Sequence, residues 1–212
     1  IMHKAPGPIM AVSPTVEMAK RNSRQRIDPL IEDCPALKNL VSSPRSRDKG
    51  NTMLSKDFQG GVLVMTGANS AVGLRSMPAR YLFMDEIDGY PQDIDGEGDP
   101  ILLAERRTAT FSKRKKIFLV STPTIKGLSN IEREFELSDK RYYLVPCPYC
   151  GGFQRLEWSQ IRAEDNNALY ECIHCGKLIG EHYKTQMLAN GHWQPTAPSD
   201  GLTAGFHLSS LY

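Results

Sequence analysis

Two adjacent carboxylates, Asp85 and Glu86, follow a run of four apolar residues in the segment RYLFMDEID, residues 80–88. A short apolar run of this kind is typical of a buried strand, which would place both carboxylates at its carboxyl end. One acid could bind a nucleotide-associated Mg²⁺ while its neighbour polarises an attacking water, as phosphoryl transfer requires. A buried strand that ends in a solvated acidic turn would have the same sequence, so the pair alone leaves both interpretations open.

A second apolar run, residues 117–120, ends in the hydroxyl-bearing residues Ser121 and Thr122. At a strand end beside the carboxylates, these hydroxyls could sense the γ-phosphate of a nucleotide or relay its loss. An ordinary Ser/Thr turn before Pro123 explains the same residues. The two strand ends together favour a nucleotide site more than either one does alone.

Four of the five cysteines form two Cys-x-x-Cys pairs, Cys147 with Cys150 and Cys172 with Cys175. A glycine follows each pair, and it lets the backbone turn so that amide groups approach the sulfur atoms. Four thiolates suit a tetrahedral structural zinc ion with no open coordination position, and such a site implies no catalysis. Free thiols are the alternative. His174, inside the second pair, is expected to be a neighbour of the site rather than a ligand.

A phosphate-binding loop of the GxxxxGK[ST] type is absent from the sequence. Without it, the β- and γ-phosphates of a nucleotide lose their main cradle. Either the chain is not an ATPase or the loop lies upstream of Ile1, and the abrupt start without Met favours the second interpretation. Proteins that catalyse phosphoryl transfer often use an arginine finger. The candidates by residue type are Arg75, Arg80, Arg106 and Arg107, although most arginines have surface or ion-pair roles.

The composition of the 212 residues is that of an ordinary globular protein, with 40% hydrophobic and 24% charged residues. The net charge of +2 is too small to indicate a nucleic-acid partner by itself. Basic clusters at 20–26 and 113–116 could contact DNA or form solvated faces. No apolar run could span a membrane or form a secretory signal. The paired cysteines therefore favour a metal over disulfides, and Cys34 is expected to be half-buried.

Short apolar runs alternate with helical patterns along the chain. The runs lie at 9–12, 61–66, 81–84 and 117–120, and the helical patterns at 15–30, 101–111, 129–137 and 184–190. This alternation predicts an α/β fold with a mostly parallel sheet that is covered on both faces. Ligands of such sheets bind at the carboxyl ends of the strands. Here those ends carry SPT, TGAN, DEID and STPT, which are polar enough for a binding site.

Several segments together resemble one known family, the large terminase subunit of tailed bacteriophages, of the lambda-like GpA type. They are GGVLVMTGANSAVGLRSMPARYLFMDEID, GEGDPILLAERRTATF, KKIFLVSTPTIKGLSNIE, the two cysteine pairs and AGFHLSSLY. The resemblance is collinear and covers nearly the whole chain. The segment PGPIMAVSPTVEMAK is similar to the region just after the phosphate-binding loop of the family.

The resemblance implies a P-loop-type ATPase that drives double-stranded viral DNA into procapsids. It implies that Asp85 is the Mg²⁺-binding acid of the Walker B motif and that Glu86 is the catalytic glutamate. Ser121 and Thr122 match the motif that couples hydrolysis to movement. The implied cofactors are ATP, Mg²⁺ and a structural zinc ion. The implied partners are duplex DNA, the small terminase subunit and the portal protein, in an oligomeric motor in the cytoplasm of the bacterial host.

We expect a partial ATPase core at 1–140, a zinc ribbon at 141–180 and a tail or linker at 181–212 that leads toward a nuclease domain. The endonuclease acids of the family and its phosphate loop are both missing, so this fragment alone is expected neither to hydrolyse ATP nor to cut DNA. Two other functions stay open. One is a non-enzymatic zinc-ribbon module that binds DNA or a protein, and the other is a helicase of related fold.

Overall fold

The computed structural model of the chain describes residues 1–41, 50–164 and 167–212. Segment 42–49, whose composition predicts an exposed loop, lies outside the described residues. The chain divides into two compact units, Ile1–Ile131 and Glu132–Tyr212. Across the described ranges, no helix is both long and apolar enough to cross a membrane.

The first unit is built on a mainly parallel sheet, as the sequence predicts. Its described strands are β1 (Ile9–Ser13), β2 (Ser55–Phe58), β3 (Gly61–Gly67), β4 (Tyr81–Asp85) and β5 (Lys116–Val120). Their order across the sheet is β2-β3-β1-β4-β5. β1 runs parallel to β3 and to β4, and β4 runs parallel to β5, whereas β2 pairs with β3 antiparallel.

The register of the sheet brings the polar strand ends to one edge. On β1, Val12 lies opposite Met84 of β4, and Ser13 lies opposite Gly67 of β3. Asp85 at the end of β4 lies opposite Val120, the last residue of β5. The segments that follow these strands therefore leave the sheet on the same side, where parallel sheets bind ligands.

The helices of the first unit are short. They are α1 (Val16–Asn22), α2 (Asp28–Asp33), α3 (Pro35–Lys38), α4 (Ala71–Leu74) and α5 (Pro100–Arg106), and α6 (Asn130–Glu136) continues into the second unit. The sequence predicts one helix at 15–30, but a π-helical segment, Ser23–Ile27, separates α1 from α2. Pro29 at the start of α2 lacks the N–H that an uninterrupted helix would use there.

Most of the sheet is covered on both faces. Met10, Leu82 and Met84 pack with apolar residues of α4 and α5 on one face, and Ile9 and Leu63 pack with residues of α1 and α2 on the other. The expectation of complete coverage is wrong at one edge. There, the exposed fractions are 38% for Phe83, 55% for Phe118 and 41% for Val120, because α1 and α2 lie over β1 and β3 and leave this face of β4 and β5 open.

The second unit contains small, mainly antiparallel sheets. Its described strands are β6 (Arg141–Pro146), β7 (Phe153–Gln154), β8 (Ile161–Glu164), β9 (Asn167–Glu171), β10 (Leu178–Ile179), β11 (His192–Pro195) and β12 (Phe206–His207), and α7 is Lys184–Ala189. β11 and β12 pair with β6, so the segment after residue 181 adds two strands to one sheet. A second sheet has the order β10-β9-β8. The core of the unit includes Val145, Leu156 and Met187.

Candidate functional site

The two carboxylates lie at the carboxyl end of β4, and the backbone changes direction between them. Asp85 is the last residue of the strand and is partly buried, whereas Glu86 is exposed. Glu86 has the left-handed angles φ 53° and ψ 52°. A non-glycine residue in this region costs on the order of 1 kcal/mol, and such residues cluster at active sites. The left-handed conformation of Glu86 therefore ends the extended backbone of β4 between the two acids.

Ser121, at the end of the neighbouring strand β5, reaches Glu86. Its hydroxyl lies 3.5 Å from Glu86 Oε2, and it accepts a hydrogen bond of 3.2 Å from the backbone N–H of Asp88. The structure therefore brings Ser121 and Glu86 together, although the sequence separates them widely. Thr122 is exposed, and its carbonyl oxygen lies 3.3 Å from the Ser121 hydroxyl.

Asp88, which has no role among the residues predicted from the sequence, lies at the centre of this group. Its Oδ2 accepts hydrogen bonds from the backbone N–H and the hydroxyl of Thr124, at 2.9 and 3.0 Å, and its Oδ1 accepts the N–H of Ile131 at 2.8 Å. Burial favours a higher pKa for this carboxyl group. The hydrogen bonds donated by Ile131, Ser129 and Thr124 together have a larger effect than burial, and they lower the pKa of Asp88. Asp88 is therefore firmly ionised.

The turn after β3 supports the same edge of the sheet. The Thr15 side chain caps α1 by accepting from the N–H of Met18 at 3.2 Å, as expected of a threonine at this position. The N–H of Val16 donates to Asn69 Oδ1 at 3.1 Å. Asn69 thus connects the turn after β3 to the start of α1, and the two turns pass each other at close range.

Gly67 is required by this close approach. A Cβ atom at this position would lie 2.2 Å from the nitrogen of Val16 and 2.5 Å from the carbonyl carbon of Thr15. Both are backbone atoms and cannot rotate away. We predict that Gly67→Ala lowers the free energy of unfolding by about 1–3 kcal/mol, the usual cost of overpacking, in chemical denaturation monitored by circular dichroism.

Gly89→Ala is the matched control, because the nearest atom to its added Cβ is a side-chain carbon of Pro14 at 3.4 Å. We expect this variant to unfold within about 0.5 kcal/mol of the wild type. Equal stability of the two variants would show that the turns beside Gly67 are not packed as described.

Tyr90 fixes the chain beyond the carboxylates to the central strand. Its hydroxyl is buried and donates to the carbonyl oxygen of Val12 at 2.9 Å. Burial, and next the negative charge of Asp85, raise the pKa of the phenol, so the hydroxyl stays protonated and the hydrogen bond persists. Tyr90 thereby ties the segment 86–90 to the edge of the sheet.

The arginine candidates lie in different places. Arg75 follows α4, the helix after the carboxyl end of β3, and forms an ion pair of 2.8 Å with Glu97. Arg80 lies at the opposite edge, just before β4, where it donates to the carbonyl oxygens of Pro6 and Arg114 at 3.2 and 3.3 Å. Of these two, only Arg75 lies on the carboxylate side within the same chain.

Arg106 and Arg107 end α5 near the amino end of β4. The carbonyl oxygen of Arg107 accepts the N–H of Ala79 at 2.9 Å, just before the strand begins. A strand the length of β4 spans roughly 13 Å, at about 3.3 Å per residue. The structure therefore does not bring Arg106 and Arg107 to the carboxylates of their own chain. An action on a neighbouring subunit would not need that proximity.

The second site is formed by the four paired cysteines. The sulfur atoms of Cys147, Cys150, Cys172 and Cys175 all lie within 4.8 Å of one another. The glycines after the pairs, at 151 and 176, have φ values of 73° and 68°, which are the left-handed turns that the sequence predicts. The N–H groups of Tyr149 and His174 donate to the first cysteine of their respective pairs, each at 3.4 Å.

The chemistry of this cluster fits a divalent metal ion. Burial tends to raise the pKa of the Cys172 thiol, but the backbone N–H donors of Cys175 and His174 reverse that effect and lower it to about 6. For Cys147, burial dominates and raises the pKa to about 11. Four thiolates this close would repel one another without a cation, and a tetrahedral zinc ion would offset much of that repulsion.

His174 makes a different contact, as expected of a neighbour of the site. Its Nε2 lies 2.8 Å from the carbonyl oxygen of Phe153, and a Cβ at Gly152 would be only 2.6 Å from its ring. The imidazole therefore packs against the first cysteine turn and braces it. Cys34 is half-buried beyond the end of α2, far from the cluster in sequence and in the other unit.

Comparison with known proteins places the chain in a family. A profile of "Phage terminase large subunit gpA, ATPase domain" matches residues 1–193. The chain is 30% identical to the large terminase subunit of Enterobacteria phage P21, over 91% of this chain and 31% of that protein. It is 29% identical to the large terminase subunit of Escherichia phage lambda, over 68% of this chain and 23% of that protein. It thus spans less than a third of the length of either relative.

The solved structure of a large terminase from a thermophilic bacteriophage matches 58% of this chain and 27% of its own, with a TM-score of 0.38 and 13% identity. The family match covers far more than half of the chain and agrees with the resemblance noted in the sequence. The chain belongs to the family of the ATPase domain of the phage terminase large subunit gpA.

Proposed function

We propose that this chain is the ATPase segment of a motor that packages double-stranded DNA into phage procapsids. The observation that supports it most strongly is the contact at the carboxyl end of β4. There, Glu86 leaves the strand in a left-handed turn and meets the Ser121 hydroxyl of the neighbouring strand at 3.5 Å. A group on each of two adjacent strands is suited to act on one bound nucleotide.

In the proposed mechanism, Asp85 would hold Mg²⁺, and Glu86 would orient and polarise the water that attacks the γ-phosphate. Ser121 contacts Glu86 directly, so its hydroxyl can respond to the presence or loss of the phosphate. Thr122, exposed beside it, completes the coupling motif. Mg²⁺ bound to the nucleotide would neutralise the charge that develops on the phosphoryl oxygens.

The phosphates need a further cradle, because the 212 residues contain no GxxxxGK[ST] loop. We propose that sequence outside this chain supplies that loop and completes a P-loop-type fold. An arginine finger would complete the charge around the phosphates. Arg75 could serve in cis only by leaving Glu97, whereas Arg106 and Arg107 suit a role in trans. Catalysis by the chain alone is not expected, and the nuclease of the proposed motor would also lie outside it.

The other proposed parts have supporting observations of their own. The basic clusters at 20–26 and 113–116 are largely exposed, and positive surface charge suits contact with DNA phosphates, which carry no sequence information. The cysteine cluster would hold zinc and stabilise a ribbon. The small terminase subunit, the portal protein and the cytoplasm of the bacterial host complete the proposed setting, in which the motor is oligomeric.

The alternative is a non-enzymatic module in which the zinc ribbon binds DNA or a protein. It is favoured by the side chains of Tyr149 and Ile173, which are exposed inside the two cysteine turns. The decisive experiment measures ATP hydrolysis by the protein completed with its phosphate-binding loop, with and without linear duplex DNA. A motor should hydrolyse ATP faster with duplex DNA and should displace a bound roadblock without separating the strands.

Three other results would point elsewhere. Separation of the strands would indicate a helicase. DNA binding without nucleotide turnover would favour the ribbon module. Hydrolysis that duplex DNA does not stimulate would contradict the packaging motor but keep the ATPase.

A further inference from the structure

Asp88 connects the end of β4 to two segments of the first unit that lie more than thirty residues further along the chain. Its backbone N–H donates to Ser121, its Oδ2 accepts two bonds from Thr124, and its Oδ1 accepts the N–H of Ile131. Close by, the side chain of Asn130 donates to the carbonyl oxygen of Ile87 at 3.0 Å. The turn after β5 and the first turn of α6 are therefore both attached to the two residues that follow Glu86.

The Asp88 carboxylate acts only as a hydrogen-bond acceptor. Among the described residues, the groups that bond to its carboxylate are all donors, and they belong to Thr124, Ser129 and Ile131. An ionised carboxylate satisfies all of them. An asparagine keeps only one acceptor oxygen and turns an NH₂ group toward the remaining donors. The site is thus specific for aspartate in a way that an exposed acidic turn would not be.

Ser121 depends on this arrangement for its position. It begins the turn that Asp88 holds at Thr124, and it also accepts the N–H of Asp88 itself. Its distance of 3.5 Å to Glu86 is at the limit of a hydrogen bond. A small movement of the turn would therefore either make this contact or break it.

We propose that Asp88 is a positioning residue that holds the turn 121–124 and the start of α6 against the end of β4, so that Ser121 stays beside Glu86. In this proposal Asp88 makes no contact with the nucleotide itself. Its carboxylate fixes the group that contacts the proposed catalytic glutamate. The kinetic part of this inference rests on the proposed function, whereas the structural part does not.

The test compares Asp88→Asn with the wild type in two measurements. Hydrogen–deuterium exchange of the chain should show about 10-fold faster exchange in peptides that cover 121–131, with little change elsewhere. In the completed protein, kcat for ATP should fall about 10- to 100-fold, the scale expected when a reacting group is misplaced by about 1 Å. KM for ATP should stay within about threefold, because no nucleotide contact is removed.

Two further variants distinguish the contribution of the Thr124 hydroxyl from that of its backbone N–H. Thr124→Val removes one of the bonds to Asp88 and should give a smaller kcat loss than Asp88→Asn, while Thr124→Ser should keep near-normal turnover. Asp93→Asn is the matched control. The carboxylate of Asp93 also accepts two backbone N–H groups, from Gly96 and Gly98 at 2.8 Å each, but in a loop without Ser121 or Glu86.

Unchanged exchange over 121–131 in Asp88→Asn would overturn the proposal, as would faster exchange throughout the first unit, which indicates a merely structural role. Faster local exchange with unchanged kcat would also overturn it. If the wild type does not hydrolyse ATP at all, the proposed function fails, and the exchange data still decide whether Asp88 holds the turn.

Discussion

Replacing Glu86 by glutamine in the completed protein is expected to reduce kcat for ATP hydrolysis by about 10²–10⁴-fold, the usual contribution of a positioned general base. The substitution keeps the size of the side chain but removes its negative charge and its ability to accept a proton, and it replaces one acceptor oxygen with an NH₂ group. Because Glu86 is exposed and Asp85, the proposed Mg²⁺ ligand, is unchanged, we expect the Kd for ATP to stay within about threefold. Steady-state hydrolysis and the binding of a fluorescent ATP analogue measure the two quantities.

Glu32→Gln is the control for this prediction, since it removes an exposed carboxylate from α2 rather than from a strand end. It should leave kcat and Kd unchanged. Turnover by Glu86→Gln at the wild-type rate would show that the carboxylates have a structural role. Loss of nucleotide binding together with turnover would instead assign Glu86 to the binding of the substrate.

Removal of the proposed zinc ion is expected to have the largest effect on stability. Structural zinc contributes about 10–16 kcal/mol in small zinc-binding peptides, which is comparable to the whole stability of a typical domain, about 5–15 kcal/mol. Cys147 and Cys172 are also part of the buried cluster of the second unit. We therefore expect a strong chelator, or Cys172→Ser, to abolish the protection of the second unit against hydrogen–deuterium exchange. The amide groups of the first unit should stay protected.

The purified chain should contain about one zinc ion per molecule by mass spectrometry or elemental analysis, and Cys172→Ser should contain none. Cys34→Ser is the matched control, because this cysteine is half-buried in the first unit. It should retain the metal and the protection of the second unit. A fully protected second unit in a metal-free chain would mean that the four thiols are held together by the fold alone.

The sequence predicts the presence of β4 and β5 well, because short apolar runs without alternation are typical of strands in a parallel sheet, although one face of β5 is exposed. The run at 81–84 lies within β4, and the run at 117–120 lies within β5. The location of the carboxylates follows directly, since the residue after a parallel strand must lie at its carboxyl edge. The proximity of the four cysteines is likewise predictable from their spacing and is confirmed.

Other features depend on tertiary partners that no local pattern reveals. The sequence does not indicate β2 as a strand, because the two residues in its interior are the charged Lys56 and Asp57. The side chain of Lys56 is nonetheless only 3% exposed, since it forms an ion pair of 2.8 Å with Asp28. The left-handed turn at Glu86 is not marked by a glycine, and the hydrogen bonds of Asp88 are made with residues more than thirty positions away. Sequence reasoning could have noted only that a third acid follows the pair closely.

The open face of β4 and β5 has a consequence for laboratory work with the chain. Phe83 and Phe118 lie with their ring centres 5.7 Å apart on that face, and within the described residues β5 pairs with β4 alone. An edge strand beside exposed aromatic rings favours intermolecular strand pairing. Preparations of the 212 residues should therefore aggregate least at low protein concentration. A charged residue in place of Phe118 should reduce aggregation and allow spectroscopy and crystallisation at higher concentrations.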